Sequence, residues 1–192
     1  MMSAGIGLDV VPPLHEPWDP DDSMDFHAAR LLVLLRGCGT GAKPGIDGRT
    51  KLAKLDFLLR YPAFLERALD HLRDVGASTT EWTASGAEIE APMIRYRYGP
   101  WDPRYRQFLA FLLARKLITI TTAKPERVQL TAAGRRAADD LSGRASFQPL
   151  LDRCAAMAPD LSTMTGTELK DLVYALFPNE VGDLPYWTEI RT

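Results

Sequence analysis

The chain has 192 residues, of which 46% are hydrophobic and 25% are charged. These proportions are typical of globular proteins and exclude wholesale disorder, a collagen-like repeat and a coiled-coil rod. The 23 Lys and Arg residues are balanced by 25 Asp and Glu residues, giving a formal net charge of -2. Such a balance excludes a uniformly basic nucleic-acid coat protein and confines any nucleic-acid contact to a local patch.

Two features of the sequence bear on the cellular compartment. Cys38 and Cys154 are far apart and have no His cluster beside them, which favours reduced thiols over a disulfide or a metal site. The N-terminal sequence has neither the basic region nor the apolar run of a signal peptide, and no stretch of about 18 apolar residues occurs. We therefore expect a soluble, cytoplasmic protein without membrane association.

The N-terminal region is rich in proline. Four prolines fall between positions 12 and 20. Because proline disfavours helix and favours extended backbone, residues 1–23 are predicted to form an extended arm. Trp18, the largest apolar side chain of the arm, is expected either to fold back on the domain or to dock on another chain.

Apolar residues at helical spacing predict three helices after the arm. The first spans residues 24–35 and ends at a glycine-rich loop. The second begins at Thr50, and the third continues its apolar face after Pro62 breaks or restarts the helix. The charged residues of the second helix that are predicted to face outward are Lys51, Lys54 and Arg60.

A loop, a strand and a capped helix follow. Residues 76–90 are small and polar, which predicts a loop insertion. The alternation in MIRYRY predicts a strand over residues 93–98. The next turn leads into a helix ending near Lys116, with Asp102 as its cap and Pro103 in its first helical position.

A hairpin and three helices are predicted for the remainder. LITITT and RVQL read as two short paired strands, and Thr131 can cap the helix after them. The residues predicted to face inward from the hairpin are Ile118, Ile120, Val128 and Leu130. Another helix is predicted near residues 147–157, and a last one begins at the capping-box spacing of Thr165 and Glu168. The aromatic tail after it is predicted to be a loop.

This order of elements is that of a winged-helix domain, in which a hairpin covers the open apolar edge of a three-helix cluster. The sequence therefore predicts a mainly α (α+β) chain that contains a winged-helix domain with additional C-terminal helices. The predicted parts are an extended arm over residues 1–23, the winged-helix domain over 24–142 with a loop insertion near 76–90, and a C-terminal helical appendage over 143–192.

Three stretches carry a resemblance to a known family: EAPMIRYRYGPWDPRYRQFLAFLLARKLI, VQLTAAG and TGTELKDLVYALFP. Together they resemble the middle components of ABC-three-component systems, small bacterial proteins associated with SMC-like or Rad50-like ATPases in anti-phage defence. The resemblance implies an adaptor that sits on the ATPase and couples it to an effector subunit. It brings no catalytic motif and no cofactor with it.

The residues themselves also predict no enzyme activity, no cofactor and no metal site. The GCGTGAK segment at residues 37–43 lacks the spacing of a phosphate-binding loop and follows a predicted helix. His15, His27 and His71 share no spacing suited to metal ligands. The acidic residues between positions 19 and 25 lack the ligand pattern of a calcium loop and read as charge beside a helix start.

Basic and aromatic residues concentrate between positions 95 and 116, which leaves three interpretations open. The arginines and tyrosines could contact DNA, as in a winged-helix transcription regulator. They could instead dock a protein partner, which Phe111 on the outer flank of the capped helix favours. They could also be solvated surface charges and core tyrosines.

We predict protein docking on the ATPase and effector subunits, with the DNA-binding regulator as the alternative. The candidate partner-binding residues are Trp18, Arg104, Phe111, Arg115, Tyr186 and Trp187. The candidate DNA contacts are Arg95, Arg97, Arg104, Gln107, Lys124 and Arg127.

Overall fold

The computed structural model describes residues 23–84 and 92–191. The predicted arm, with Trp18, and part of the predicted loop insertion lie outside these residues. The described chain forms seven α-helices: α1 (Met24–Cys38), α2 (Arg49–Arg60), α3 (Pro62–Asp74), α4 (Tyr105–Ala114), α5 (Ala132–Ser142), α6 (Gln148–Met157) and α7 (Gly166–Leu176). A short 3-10 helix (Ala145–Phe147) and a π-helical turn (Pro178–Gly182) follow α5 and α7. It forms five short strands: β1 (Gly45–Asp47), β2 (Ile94–Tyr96), β3 (Gly99–Trp101), β4 (Ile118–Ile120) and β5 (Arg127–Leu130). The prediction of a mainly helical α+β chain is confirmed.

Helix α2 lies at the centre of the fold. Every residue from 51 to 60 is buried, because α1, α3, α7 and β3 all pack against this helix. The prediction that Lys51, Lys54 and Arg60 face solvent is therefore wrong. The apolar stripe on α2 predicts a surface helix with one buried side. In the structure, the neighbouring elements cover the charged side as well.

A three-stranded antiparallel sheet has the strand order β1-β5-β4. The predicted hairpin of β4 and β5 is confirmed, with Ile118, Val128 and Leu130 buried and Ile120 half-buried. Strand β1 lies in a segment that the sequence predicts to be a loop. Gly45 explains how β1 can pair: a Cβ atom there would lie 2.8 Å from the Cβ of Gln129 on β5, too close for any other residue.

The second sheet joins the middle of the chain to its tail. Strands β2 and β3 form an antiparallel pair through a tight turn at Gly99, whose φ of 95° lies in the left-handed region. The tail runs along the other edge of β2: the amide of Arg95 donates to Thr188 (2.7 Å), and the amide of Ile190 donates to Met93 (2.8 Å). The tail is thus a loop, as predicted, that is hydrogen-bonded to β2 and forms one isolated bridge between Ile94 and Glu189.

The C-terminal helices share one hydrophobic core with the rest of the chain. Helix α6 packs on α1 and α7 packs on α2, and buried residues such as Leu34, Leu55, Leu150 and Val173 belong to one cluster. The predicted boundary at residue 142 therefore does not coincide with a break in the core. Residues 143–191 complete the core rather than forming an appendage.

Side-chain caps set several helix starts, as predicted. Thr131 accepts the amide of Gly134 at the start of α5 (3.0 Å), and Thr165 forms a full capping box with Glu168 at the start of α7. At α4 the predicted start is two residues too early. Asp102 accepts the amide of Arg104 (2.8 Å), and the helix begins at Tyr105, so Pro103 precedes the helix.

Candidate functional site

A group of buried charges joins α1, α2 and α4. Asp56 accepts hydrogen bonds from the Nε of Arg30 (2.8 Å), the Nη2 of Arg60 (3.0 Å) and the hydroxyl of Tyr105 (2.6 Å). The same Arg60 nitrogen donates to Asp102 at the start of α4 (2.9 Å). These five residues, which we call the ion network, are all at most 2% exposed.

The ion network keeps its two carboxylates ionised. Burial alone would raise the pKa of Asp56, but the charges of Arg30 and Arg60 and their hydrogen bonds outweigh it and lower that pKa to about 2. Burial likewise opposes the ionised form of Asp102, and Arg60 and Arg104 hold the pKa of Asp102 below its ordinary value. Burial, and then the charge of Asp56, raise the pKa of Tyr105. Both carboxylates are therefore charged and the Tyr105 phenol is neutral, and protein encloses all three groups.

A second group of arginine and aromatic residues lies beside β2 and is exposed to solvent, unlike the ion network. Tyr96, Arg97, Tyr98, Tyr186 and Trp187, which we call the aromatic surface, are all exposed. The rings of Tyr96 and Trp187 lie 5.1 Å apart edge to face. The Arg97 guanidinium lies 5.4 Å from the centre of the Tyr98 ring. Trp187 is 66% exposed. Most of its large apolar ring system is therefore in contact with water, which is unfavourable for tryptophan.

The backbone holds the aromatic surface in place from two sides. Tyr96 and Tyr98 lie at the turn between β2 and β3. Trp187 adopts a φ of 69°, rare for a residue with a side chain, while its amide donates to the carbonyl of Arg95 (2.8 Å). The exposed indole is therefore fixed by the pairing of the tail with β2.

Arg95 supports the aromatic surface from below. Its guanidinium lies 5.3 Å from the ring centre of Tyr174 on α7 and 4.8 Å from that of Tyr186. Only 8% of Arg95 is exposed, so this predicted DNA contact has no free guanidinium face to offer to a phosphate. Alternation along the strand explains the difference, since Arg95 points to the face opposite Tyr96.

Three depressions border the aromatic surface. A shallow one of about 260 Å³ lies among Tyr96, Arg97, Tyr186 and Trp187. A narrower one of about 200 Å³ has the buried Lys54 among its lining residues, and we call it the Lys54 pocket. A wider cleft of about 690 Å³ lies between the first turns of α2 and α7, with Lys51, Lys170 and Tyr98 among its lining residues.

The predicted contacts on α4 are less accessible than the sequence indicates. Arg104 turns back to Asp102, with its Nη2 3.2 Å from the carboxylate. Phe111 is half-buried against the core, and the Arg115 guanidinium covers its ring at 4.4 Å. Arg115 also pairs loosely with Asp25 on α1 (3.7 Å). This flank therefore presents a phenylalanine already covered by an arginine.

The remaining predicted DNA contacts divide between paired and exposed residues. Arg127 donates to Asp47 (2.7 Å) and to the carbonyl of Thr40, so its charge is engaged within the fold. Arg97, Gln107 and Lys124 are exposed. Arg97 is the one that the structure brings together with the predicted partner-binding residues Tyr186 and Trp187.

The predicted partner-binding and DNA-contact residues do not include Tyr96, Tyr98 or Lys54, although both tyrosines lie in the basic and aromatic stretch of residues 95–116. The two tyrosines alternate with arginines in a strand pattern, and that pattern does not tell which face is covered. A turn immediately after Tyr96 was the available signal, because side chains at a tight turn are rarely buried on both faces. Nothing in the local sequence marks Lys54 as buried.

Comparisons with known proteins leave the function to be argued from this geometry. No family model, no curated protein and no solved structure matches the chain. Among residues 23–84 and 92–191, no helix has the length and apolar composition to cross a bilayer. The same residues contain no group of three or more His, Cys, Asp or Glu side chains arranged to hold a metal ion.

Proposed function

We propose that this chain is a non-enzymatic adaptor that binds a protein partner through the aromatic surface. The observation that carries the proposal is the clustering of exposed rings. Of the six exposed large hydrophobic side chains among the described residues, four belong to this one surface: Tyr96, Tyr98, Tyr186 and Trp187. Contiguous exposed apolar groups mark interaction sites, and Trp, Tyr and Arg are the residues that dominate binding energy in protein interfaces.

The strand order supports a winged-helix arrangement for this adaptor. Helix α1, strand β1, helices α2 and α4, and the β4–β5 hairpin follow one another in the order expected of that fold, with α3 and the β2–β3 pair inserted before α4. The sheet order β1-β5-β4 places the first strand beside the last, as a winged helix requires. In this arrangement the aromatic surface is built by the insertion and the C-terminal tail.

The partner implied by the family resemblance is an SMC-like or Rad50-like ATPase, which the adaptor would couple to an effector subunit in anti-phage defence. A surface dominated by rings and a single exposed arginine suits a protein interface, whose centre is apolar and whose charges are few.

Co-purification tests this proposal. A tagged full-length chain, expressed with its neighbouring genes, is expected to retain the ATPase subunit, identified by mass spectrometry. Trp187→Ala and Tyr186→Ala should each reduce the retained ATPase at least about tenfold, because an interface hot spot contributes about 2 kcal/mol or more.

Leu113→Ala is the matched control, since Leu113 is an exposed large hydrophobic residue on α4, outside the aromatic surface. It should leave the retained ATPase unchanged. Recovery of the wild-type chain as a lone monomer would refute the adaptor function, and equal losses in all three variants would refute the assignment of the surface.

A DNA-binding regulator is the second candidate, and the exposure of Arg97, Gln107 and Lys124 favours it. Such a protein would bind duplex DNA with an affinity that falls steeply with salt, since phosphate contacts release counterions. Lys124→Ala should then weaken binding to all sequences about equally, whereas Gln107→Ala should reduce sequence preference. Undetectable binding of the isolated chain at low salt in a gel-shift experiment would exclude this candidate.

A further inference from the structure

The Lys54 pocket holds a buried positive charge without a neighbouring negative one. Lys54 is 1% exposed, and its ammonium donates one long hydrogen bond, to the carbonyl of Pro100 (3.3 Å). Gly99 lies directly against the lysine: a Cβ atom there would lie 3.2 Å from the Lys54 Cε and 3.3 Å from its Nζ, so the end of the side chain would have to shift. Among the described residues, no carboxylate lines this pocket.

The charged groups nearest to the Lys54 ammonium do not neutralise its positive charge. Arg95 on β2 and Lys170 on α7 are the nearby charges, and both are positive. On α2 itself, Arg49 lines the pocket but pairs with Glu126. Lys170 pairs with Asp171 (3.0 Å), and the other ionisable residues that line the pocket are the phenols Tyr96 and Tyr98. Together these neighbours offer the ammonium no counterion.

The geometry points to a carboxylate from the protein partner, an Asp or Glu side chain or a chain terminus, entering the Lys54 pocket as the counterion of Lys54. This inference rests on the proposed function and names the chemistry of its partner. The pocket opens beside Tyr96 and Tyr98, so a segment lying on the aromatic surface can reach it. Aromatic walls over one charged group are the construction expected of an anchor pocket in an interface.

Size favours a carboxylate over the phosphates of a nucleic acid. The pocket has a volume of about 200 Å³, which suits the end of one side chain. A phosphodiester is tied to a sugar on both sides and needs an open groove, whereas a carboxylate ends a flexible chain and can enter a closed pocket.

Protonation of Lys54 supplies a signature that a purely structural lysine would lack. Burial, and then the charges of Arg95 and Lys170, lower the pKa of Lys54 to about 7. A bound carboxylate favours the ammonium and must raise this pKa. Affinity for a carboxylate is therefore fully developed below pH 7 and weakens by up to about tenfold per pH unit above it.

The test uses the full-length chain labelled with ¹³C-lysine and sodium acetate as the probe. The ε-carbon resonance of Lys54, assigned through bonds and by its loss in Lys54→Met, is followed through a pH titration with and without acetate. Acetate should raise the titration midpoint of Lys54 by about one pH unit and leave the exposed Lys124 unchanged. The wild-type titration suffices if Lys54→Met does not fold.

Two further probes separate the sources of negative charge. Inorganic phosphate and a single-stranded oligothymidylate are expected to shift the Lys54 midpoint less than acetate does. An unchanged midpoint in acetate, or a larger shift with phosphate or oligothymidylate, overturns the inference. Because the titration contains no partner, a positive result stands even if co-purification shows that Trp187 binds no ATPase, and a negative result leaves that binding intact.

Discussion

The ion network and the aromatic surface use the same residue types for different ends. Both contain arginine and tyrosine. In the network, each guanidinium is bonded to a buried carboxylate, and the Tyr105 hydroxyl donates to Asp56. In the surface, Arg97 and Tyr98 contact each other and solvent, and no carboxylate pairs with them among the described residues. The difference teaches that burial and the partner group, rather than residue type, decide whether an arginine is engaged within the fold or left available on the surface.

The largest effect is expected from breaking the network at its centre. Asp56→Ala removes the carboxylate shared by two buried guanidinium groups, and should lower the free energy of unfolding by about 3–5 kcal/mol. Urea denaturation followed by circular dichroism measures it. Asp139→Ala is the matched control, because Asp139 pairs with Arg36 on the surface and should contribute less than about 1 kcal/mol. Equal effects of the two substitutions would contradict the role assigned to the network.

The pH dependence of the free energy of unfolding also tests the contribution of Asp56, because protonation removes the charge of this residue and keeps its size. The pKa of Asp56 is lowered to about 2 in the fold, so its contribution is fully present above pH 4, the range of an unfolded aspartate, and is lost as pH falls toward 2. The loss should be about 2 kcal/mol. Asp56→Asn cannot titrate and should have a flatter stability profile between pH 5 and 2 in urea denaturation. Parallel profiles for the two proteins would mean that Asp56 is not strongly coupled to folding.

Removing one tyrosine hydroxyl from each region compares the ion network with the aromatic surface directly. Tyr105→Phe removes the hydroxyl that donates to Asp56 and should lower the free energy of unfolding by about 1–2 kcal/mol. Tyr98→Phe removes a hydroxyl from an exposed ring and should change it by less than about 0.5 kcal/mol. Thermal unfolding of both variants checks the difference. A larger effect at Tyr98 would reverse the assignment of the two regions.

Local signals in the sequence predicted the elements that carry them. Thr131 and Thr165 are caps in the structure because a capping side chain acts within one helical turn. The β4–β5 hairpin was predicted because alternation over a few residues identifies a strand with one buried face. The mainly helical α+β class could be predicted as well, because helical spacing of apolar residues is also a local signal.

The features that depend on distant partners were not predictable. Lys54 and Arg60 lie on a helix whose periodicity shows one apolar face, and only the packing of α7 and β3 on the other face buries them. Strand β1 exists because β5 pairs with it, and its three residues carry no strand signal alone. The aromatic surface combines residues near positions 97 and 187, which the pairing of the tail with β2 brings together.

The smallest effect concerns the backbone of Trp187, and it separates stability from recognition at one residue. The φ of 69° is unfavourable for a residue with a Cβ atom and easily adopted by glycine. Trp187→Gly should therefore unfold with a free energy about 1 kcal/mol higher than Trp187→Ala, as measured in urea. Both variants remove the indole, so both should lose the ATPase in co-purification to the same degree. If Trp187→Gly were instead less stable than Trp187→Ala, the positive φ at this position would not lower the free energy of unfolding. The exposure of Trp187 would then need another cause.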